Sequence, residues 1–271
     1  MMLIRLSSRR WILSTILVIC AMAVMARLGI WQLDRLEKRR GFNARVQEQM
    51  EQAALDLNLV GQDVHLPGME YRKVNVVGEY LHDEQIALRN QYWGDQWGVH
   101  LVTPLRISGS DRMILVDRGW IPAENFQSGD WSRFDEPGVV AVSGILRSSQ
   151  NKADFGSRSD PEPQPGDPPL KAWNFVNIER LSHQISGSLL PVYVQQAPIP
   201  SWTALPYRYQ PSLDLSEGPH FGYAIQWFTF ASILGIGYPF FILRQERKRP
   251  GKETPDFSTL APSPIIQARK H

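Results

Sequence analysis

The sequence predicts a membrane protein: two transmembrane α-helices flanking a mainly antiparallel β domain, barrel or sandwich-like, with one short helix. Three observations carry this. Phe221 to Leu243 holds no Asp, Glu, Lys, Arg or His, and Trp11 to Ala26 is uncharged as well. Between them lie short β-branched runs, about a dozen residues apart and punctuated by Gly, Asp, Asn and Pro, with no helical stretch between. The mean hydropathy of −0.27 excludes a many-span transporter, because most of the chain must then be water-soluble.

The chain opens on a basic segment, residues 1–10, without an acid. The apolar run after it fits either a signal peptide ending near Ala26 or an uncleaved anchor. In the anchor, Arg27 snorkels and the helix covers 11–31, roughly 31 Å, with Trp31 at the headgroup level. Residues 32–60 form a helical connector: the composition from Leu33 to about Leu57 is helical, with Gly41 as its weak point.

The β-rich domain spans 61–219. Val74, Val76 and Gly78 alternate with Lys73, Asn75 and Val77, as in a half-buried strand. Further strands are read in EQIALRNQ, WGVHLVTPLRIS, RMILVDRGWIP and GVVAVSGILRS, and regular strands without helices between them indicate an antiparallel sandwich or barrel. Residues 151–170 carry five prolines and read as a mobile loop. WNFVN then resumes as a strand, IERLSHQIS as a short helix and LLPVYVQQAP as a last strand. Ser201 to Pro219 leads, extended, back to the membrane.

The second span covers 220–243, roughly 34 Å from Phe221 to Leu243, enough for a hydrocarbon core of about 30 Å. Basic residues crowd the segment that follows, 244–271, which reads as a disordered cytoplasmic tail. The charges flanking the first span point the other way, but long loops translocate largely regardless of charge. The expectation is both termini cytoplasmic and the domain outside.

Formal charge +2 gives no reason to expect a nucleic acid partner. Cys20, the single cysteine, excludes an intramolecular disulfide and a cysteine metal site, and the six histidines lack metal-motif spacing. No nucleophile elbow, phosphate-cradling glycine loop or H-E-x-x-H is present, so no enzyme is expected.

His220 stands at the lip of the second span, with Tyr223 and Trp227 on the same helix face. Imidazole is a common haem ligand, and an aromatic face could wall a porphyrin. By themselves these residues read rather as an interfacial histidine capping the helix start and an ordinary membrane aromatic belt. Arg118, in DRGWIP, could grip a carboxylate with its planar fork, or pair with an acid at a strand end while Trp120 fills the core. Arg35, one turn beyond Trp31, reads as a membrane-edge anchor.

Four motifs, in order over residues 28–243, resemble the Surfeit locus protein one (Shy-one) family of cytochrome c oxidase assembly factors. LGIWQLDR supplies Gly29, Trp31, Gln32 and Arg35. YRKVNVVGEY with GVHLVTPL resembles the start of the family's soluble domain. DRGWIP supplies Arg118, Gly119, Trp120 and Pro122, and HFGYAIQWFTF supplies His220, Tyr223, Ala224, Gln226, Trp227 and Phe228. The resemblance implies a two-pass protein of the bacterial inner membrane with a periplasmic domain. It implies a non-catalytic role in delivering or stabilising haem a for the oxidase catalytic subunit, with haem a synthase as a second partner. It also makes His220 the expected ligand of the haem iron, with Tyr223 and Trp227 at the macrocycle. Alternatives are a scaffold that never holds haem, and a membrane-tethered periplasmic enzyme. The 151–170 loop and the long tail depart from the family pattern.

Overall fold

Both uncharged runs become long helices. The computed structural model describes residues 10–61, 63–151, 160–161, 168–210 and 212–247. Most of the 151–170 loop and nearly all of the tail lie outside the described residues. The chain folds as two units, Met1–Lys38 with Glu217–His271, and Arg39–Ser216.

The first unit is a helical pair. Helix α1, Ile12–Glu51, is 40 residues long, with no break at Gly41. The C-terminal helix, His220–Arg247, is 28 residues long, and both are long and apolar enough to cross a membrane. Their contacts run antiparallel. Trp11 Nε1 donates to Glu246 Oε1 at 3.0 Å, and Tyr238 Oη meets Ser14 Oγ at 2.7 Å and Thr15 Oγ1 at 3.0 Å. A Cβ on Gly235 would stand 2.7 Å from Met22 Cε, and one on Gly29 would stand 2.7 Å from the Phe228 ring. The missing side chains therefore set how closely the helices approach. Gly235 serves packing in this way, whereas a Cβ on Gly237 would meet nothing within 4 Å.

The second unit is the β domain. Strand β1 (Leu55–Asp56) is followed by β2 (Lys73–Tyr80), β3 (Ile86–Trp93), β4 (Gln96–Ile107) and β5 (Arg112–Pro122). Short helix α2 (Ala123–Gln127) precedes β6 (Val139–Ser148) and β7 (Ala172–Trp173). Helix α3 (Ile178–Leu181) and β8 (Ser188–Gln196) come last, so the C-terminal helix is α4. The sheet order is β1-β2-β6-β8-β5-β4-β3-β7, and a further β2–β4 pairing closes β2, β6, β8, β5 and β4 into a barrel. Within the barrel only β5–β8 is parallel.

Alternation along β2 is strict: Val74, Val76, Gly78 and Tyr80 are buried and their neighbours exposed. With Leu105, Ile107, Ile114, Val116, Val142, Leu146, Val192 and Val194 they fill the barrel. A second cluster packs Trp173, Ile178, Leu181 and Ile185 over Val102, Met113, Leu115 and Tyr193. Strand β5 is thus covered on both faces, which explains its nearly continuous burial.

Two local expectations give way. Helix α1 stops at Glu51 rather than near Leu57, because Leu55 and Asp56 pair in parallel with Val74 and Asn75 and Leu57 is fully buried beside them. Burial of Leu57 outweighs the helical propensity of that stretch. The strand expected through WNFVN shortens to Ala172–Trp173, since Trp173 and Val176 turn into the second cluster.

Candidate functional site

Chain direction changes just before α4. Gly218 adopts φ +69°, a left-handed conformation that suits glycine, and Pro219 accepts the first helical bond, from Tyr223 N at 3.1 Å. His220 therefore opens the helix, half-buried, with its ring turned to α1: Nδ1 lies 2.8 Å from Gln32 Oε1. No described residue hydrogen-bonds its Nε2. Ala224 is buried, and Phe228 occupies the slot left by Gly29. Tyr223 and Gln226 are exposed and Trp227 is half-buried, its ring edge-on to Phe230 at 6.3 Å. On α1, Trp31 is 43% exposed with the Arg35 guanidinium 5.5 Å over its ring, the amphipathic arrangement favoured at a membrane surface. Gln32 with His220, and Gly29 with Phe228, thus join motifs that are far apart in sequence.

Arg118 belongs to the barrel unit. It is the unpaired extra residue of a β-bulge, because Leu101 pairs with Gly119 and Val102 with Asp117. Its fully buried side chain donates to Gln85 Oε1 at 2.8 Å, to the Phe134 carbonyl, and to Glu136 Oε1 from Nη2 at 3.0 Å. The guanidinium lies 4.8 Å over the ring of Tyr80, whose phenol burial holds well above its ordinary pKa. Glu136 is shared: Arg208 Nη2 reaches the same oxygen at 2.6 Å. Trp120 is buried and bridges Tyr207 through paired backbone bonds of 2.9 and 2.8 Å, with the two rings stacked. Gly119, at φ +118°, is where a Cβ would run into the Tyr207 carbonyl. Pro122 ends β5 opposite Gly98. In this unit the DRGWIP motif fastens the 201–210 strap to the barrel.

Residues 19–232 match the SURF1 family model. The chain belongs to the SURF1 family. SURF1-like proteins of Caenorhabditis briggsae and Rickettsia bellii are 23% and 27% identical to it. An uncharacterized SURF1-like protein of Mycobacterium tuberculosis is 25% identical. The alignments cover 82%, 82% and 84% of this chain and 73%, 87% and 83% of those proteins, respectively.

Sequence reading of this SURF1 family member missed Glu136 and Arg208, which lie outside any recognised motif. It also missed a part-buried pair: His100 Nδ1 sits 2.9 Å from Asp117 Oδ2. Burial disfavours the imidazolium there, but the charge and hydrogen bond of Asp117 outweigh it and hold the His100 pKa above its ordinary 6.5. Both residues fall within strands that sequence reading had placed, so pairing β4 with β5 would have revealed them.

Proposed function

We propose that this SURF1 family member is a non-catalytic assembly factor for a haem-copper oxidase, holding haem a at His220 for insertion into the catalytic subunit. In this reading haem a synthase supplies the haem. The protein is a two-pass protein of the bacterial inner membrane, with its barrel periplasmic and both termini cytoplasmic. Family membership supports the assembly role. Arg244 and Arg247 in the last turn of α4 support the orientation, since basic residues are retained on the cytoplasmic side.

The observation that carries the haem assignment is the donor presented by His220, an imidazole nitrogen that no described residue engages, on an aromatic helix face. If haem a binds here, His220 would hold its iron through Nε2. A Cβ on Gly218 would stand 3.7 Å from Nε2, so glycine at this position keeps that side of the ring open. Tyr223 and Trp227 offer flat apolar surface on the same face as His220. Arg118, with its donors engaged inside the barrel, serves by holding together the domain that docks on the oxidase subunit.

The test is an absorption spectrum of detergent-purified protein, wild type beside His220→Ala, from cells making haem a. A Soret band and a haem a α-band in wild type, lost in the variant, establish the carrier. A haem-free wild type refutes it and leaves a scaffold for oxidase subunits. Turnover surviving in the isolated domain would instead mark a tethered enzyme.

A further inference from the structure

Resting on the reading of His220 as an iron ligand, one residue of α1 acquires a role. The Gln32 side-chain oxygen lies 2.8 Å from His220 Nδ1, and an amide oxygen can only accept. With the amide in this orientation, Nδ1 carries the imidazole proton. In a neutral ring the lone pair then belongs to Nε2, the nitrogen that no described residue engages. We propose that Gln32 is the positioning residue of the haem site: it fixes the tautomer and plane of His220 and sets how strongly Nε2 donates to iron.

Metal-bound histidines commonly hold their second nitrogen against a carboxylate, carbonyl or water, and loss of that partner typically weakens metal binding about 10- to 100-fold. A carboxylate partner makes the ring the stronger donor. A neutral amide orients it with less enhancement, and it places no extra charge beside the apolar span. A moderate iron bond suits a site that must surrender its haem. The reach of Gln32 depends on Gly29, one turn earlier on α1, since a Cβ there would meet the Phe228 ring at 2.7 Å and force the helices apart. The site therefore takes its ligand from α4 and its orientation from α1.

Two measurements on the full chain in detergent test this. In the haem-free wild type, ¹⁵N spectra of His220, assigned by the loss of its signals in His220→Asn, should show a protonated Nδ1 and an unprotonated Nε2. The reverse pattern, with the Gln32 amide donating to Nδ1, overturns the proposal. In titrations with haem a, Gln32→Met, similar in size but without the acceptor, should bind at least about 10-fold more weakly. Gln32→Glu should keep its affinity and show a lower midpoint potential. Wild-type affinity and midpoint in Gln32→Met, or an unshifted midpoint in Gln32→Glu, overturn it. A wild type that takes up no haem a defeats the ligand reading instead, while the ¹⁵N pattern still decides whether Gln32 sets the tautomer.

Discussion

Replacing Glu136 by Leu should be the most damaging single change in the barrel unit. The carboxylate faces two guanidiniums, Arg118 at 3.0 Å and Arg208 at 2.6 Å, whose side chains are 0% and 2% exposed. At an effective dielectric of about 20, each attraction is roughly 5–6 kcal/mol before desolvation is subtracted. Removing the acid leaves two buried cations, and breaking buried pairs in this way costs about 3–5 kcal/mol. Arg118 retains Gln85 and the Phe134 carbonyl, so the loss does not simply double. Glu136→Gln removes the same charge but keeps an acceptor oxygen for the guanidiniums, so it should cost about 1–2 kcal/mol less than Leu. For a domain of this size about 2–4 °C accompanies each kcal/mol, giving a Tm lowered by roughly 6–20 °C in Glu136→Leu. Tryptophan fluorescence in detergent is a suitable readout, because Arg208 lies 4.0 Å over the Trp202 ring. A Leu variant within about 1 kcal/mol of wild type, or a Gln variant as damaging as Leu, would refute the reasoning.

Other expectations follow from single contacts. Gly119→Ala meets both its positive φ and the Tyr207 carbonyl, so it should cost about 1–3 kcal/mol and speed amide exchange at Trp120 and Tyr207. Gly29→Ala should destabilise the helical pair by about 1–3 kcal/mol in detergent melts, and adding Phe228→Ala should recover much of that loss. The His100–Asp117 pair should stabilise the fold fully below about pH 6.5, with its contribution falling as pH rises through the raised folded value. Asp117→Asn should flatten that dependence in chemical-denaturation series across this range.

The spans and the strands were legible because their signals are local. Charge-free runs mark α1 and α4, and the β2 alternation reads directly as one buried face. Strand β1 was hidden because its neighbours favour helix and only the distant Val74–Asn75 backbone draws it into the sheet. The candidate site was half legible. His220 could be singled out by position, and Gln32 only as a motif residue, because a hydrogen bond between residues 188 apart leaves no periodic trace. Arg118 offered a clue that went unused: Ile114 and Val116 face the barrel interior, and two residues on the same alternation points its side chain inward too.

The ladder of contacts along the helical pair fixes when the Gln32–His220 pair comes into being. From Trp11, just before α1, to Gln32 within it, the partners recede from 246 to 220. During synthesis α1 leaves the ribosome with its glycine slot and its polar residues unmatched, and waits for nearly the whole chain. At about 5–20 residues per second, His220 is made roughly 10–40 s after Gln32. The His220 ring acquires its orientation only once α4 has met α1, so a chain truncated before α4 cannot form the Gln32–His220 pair.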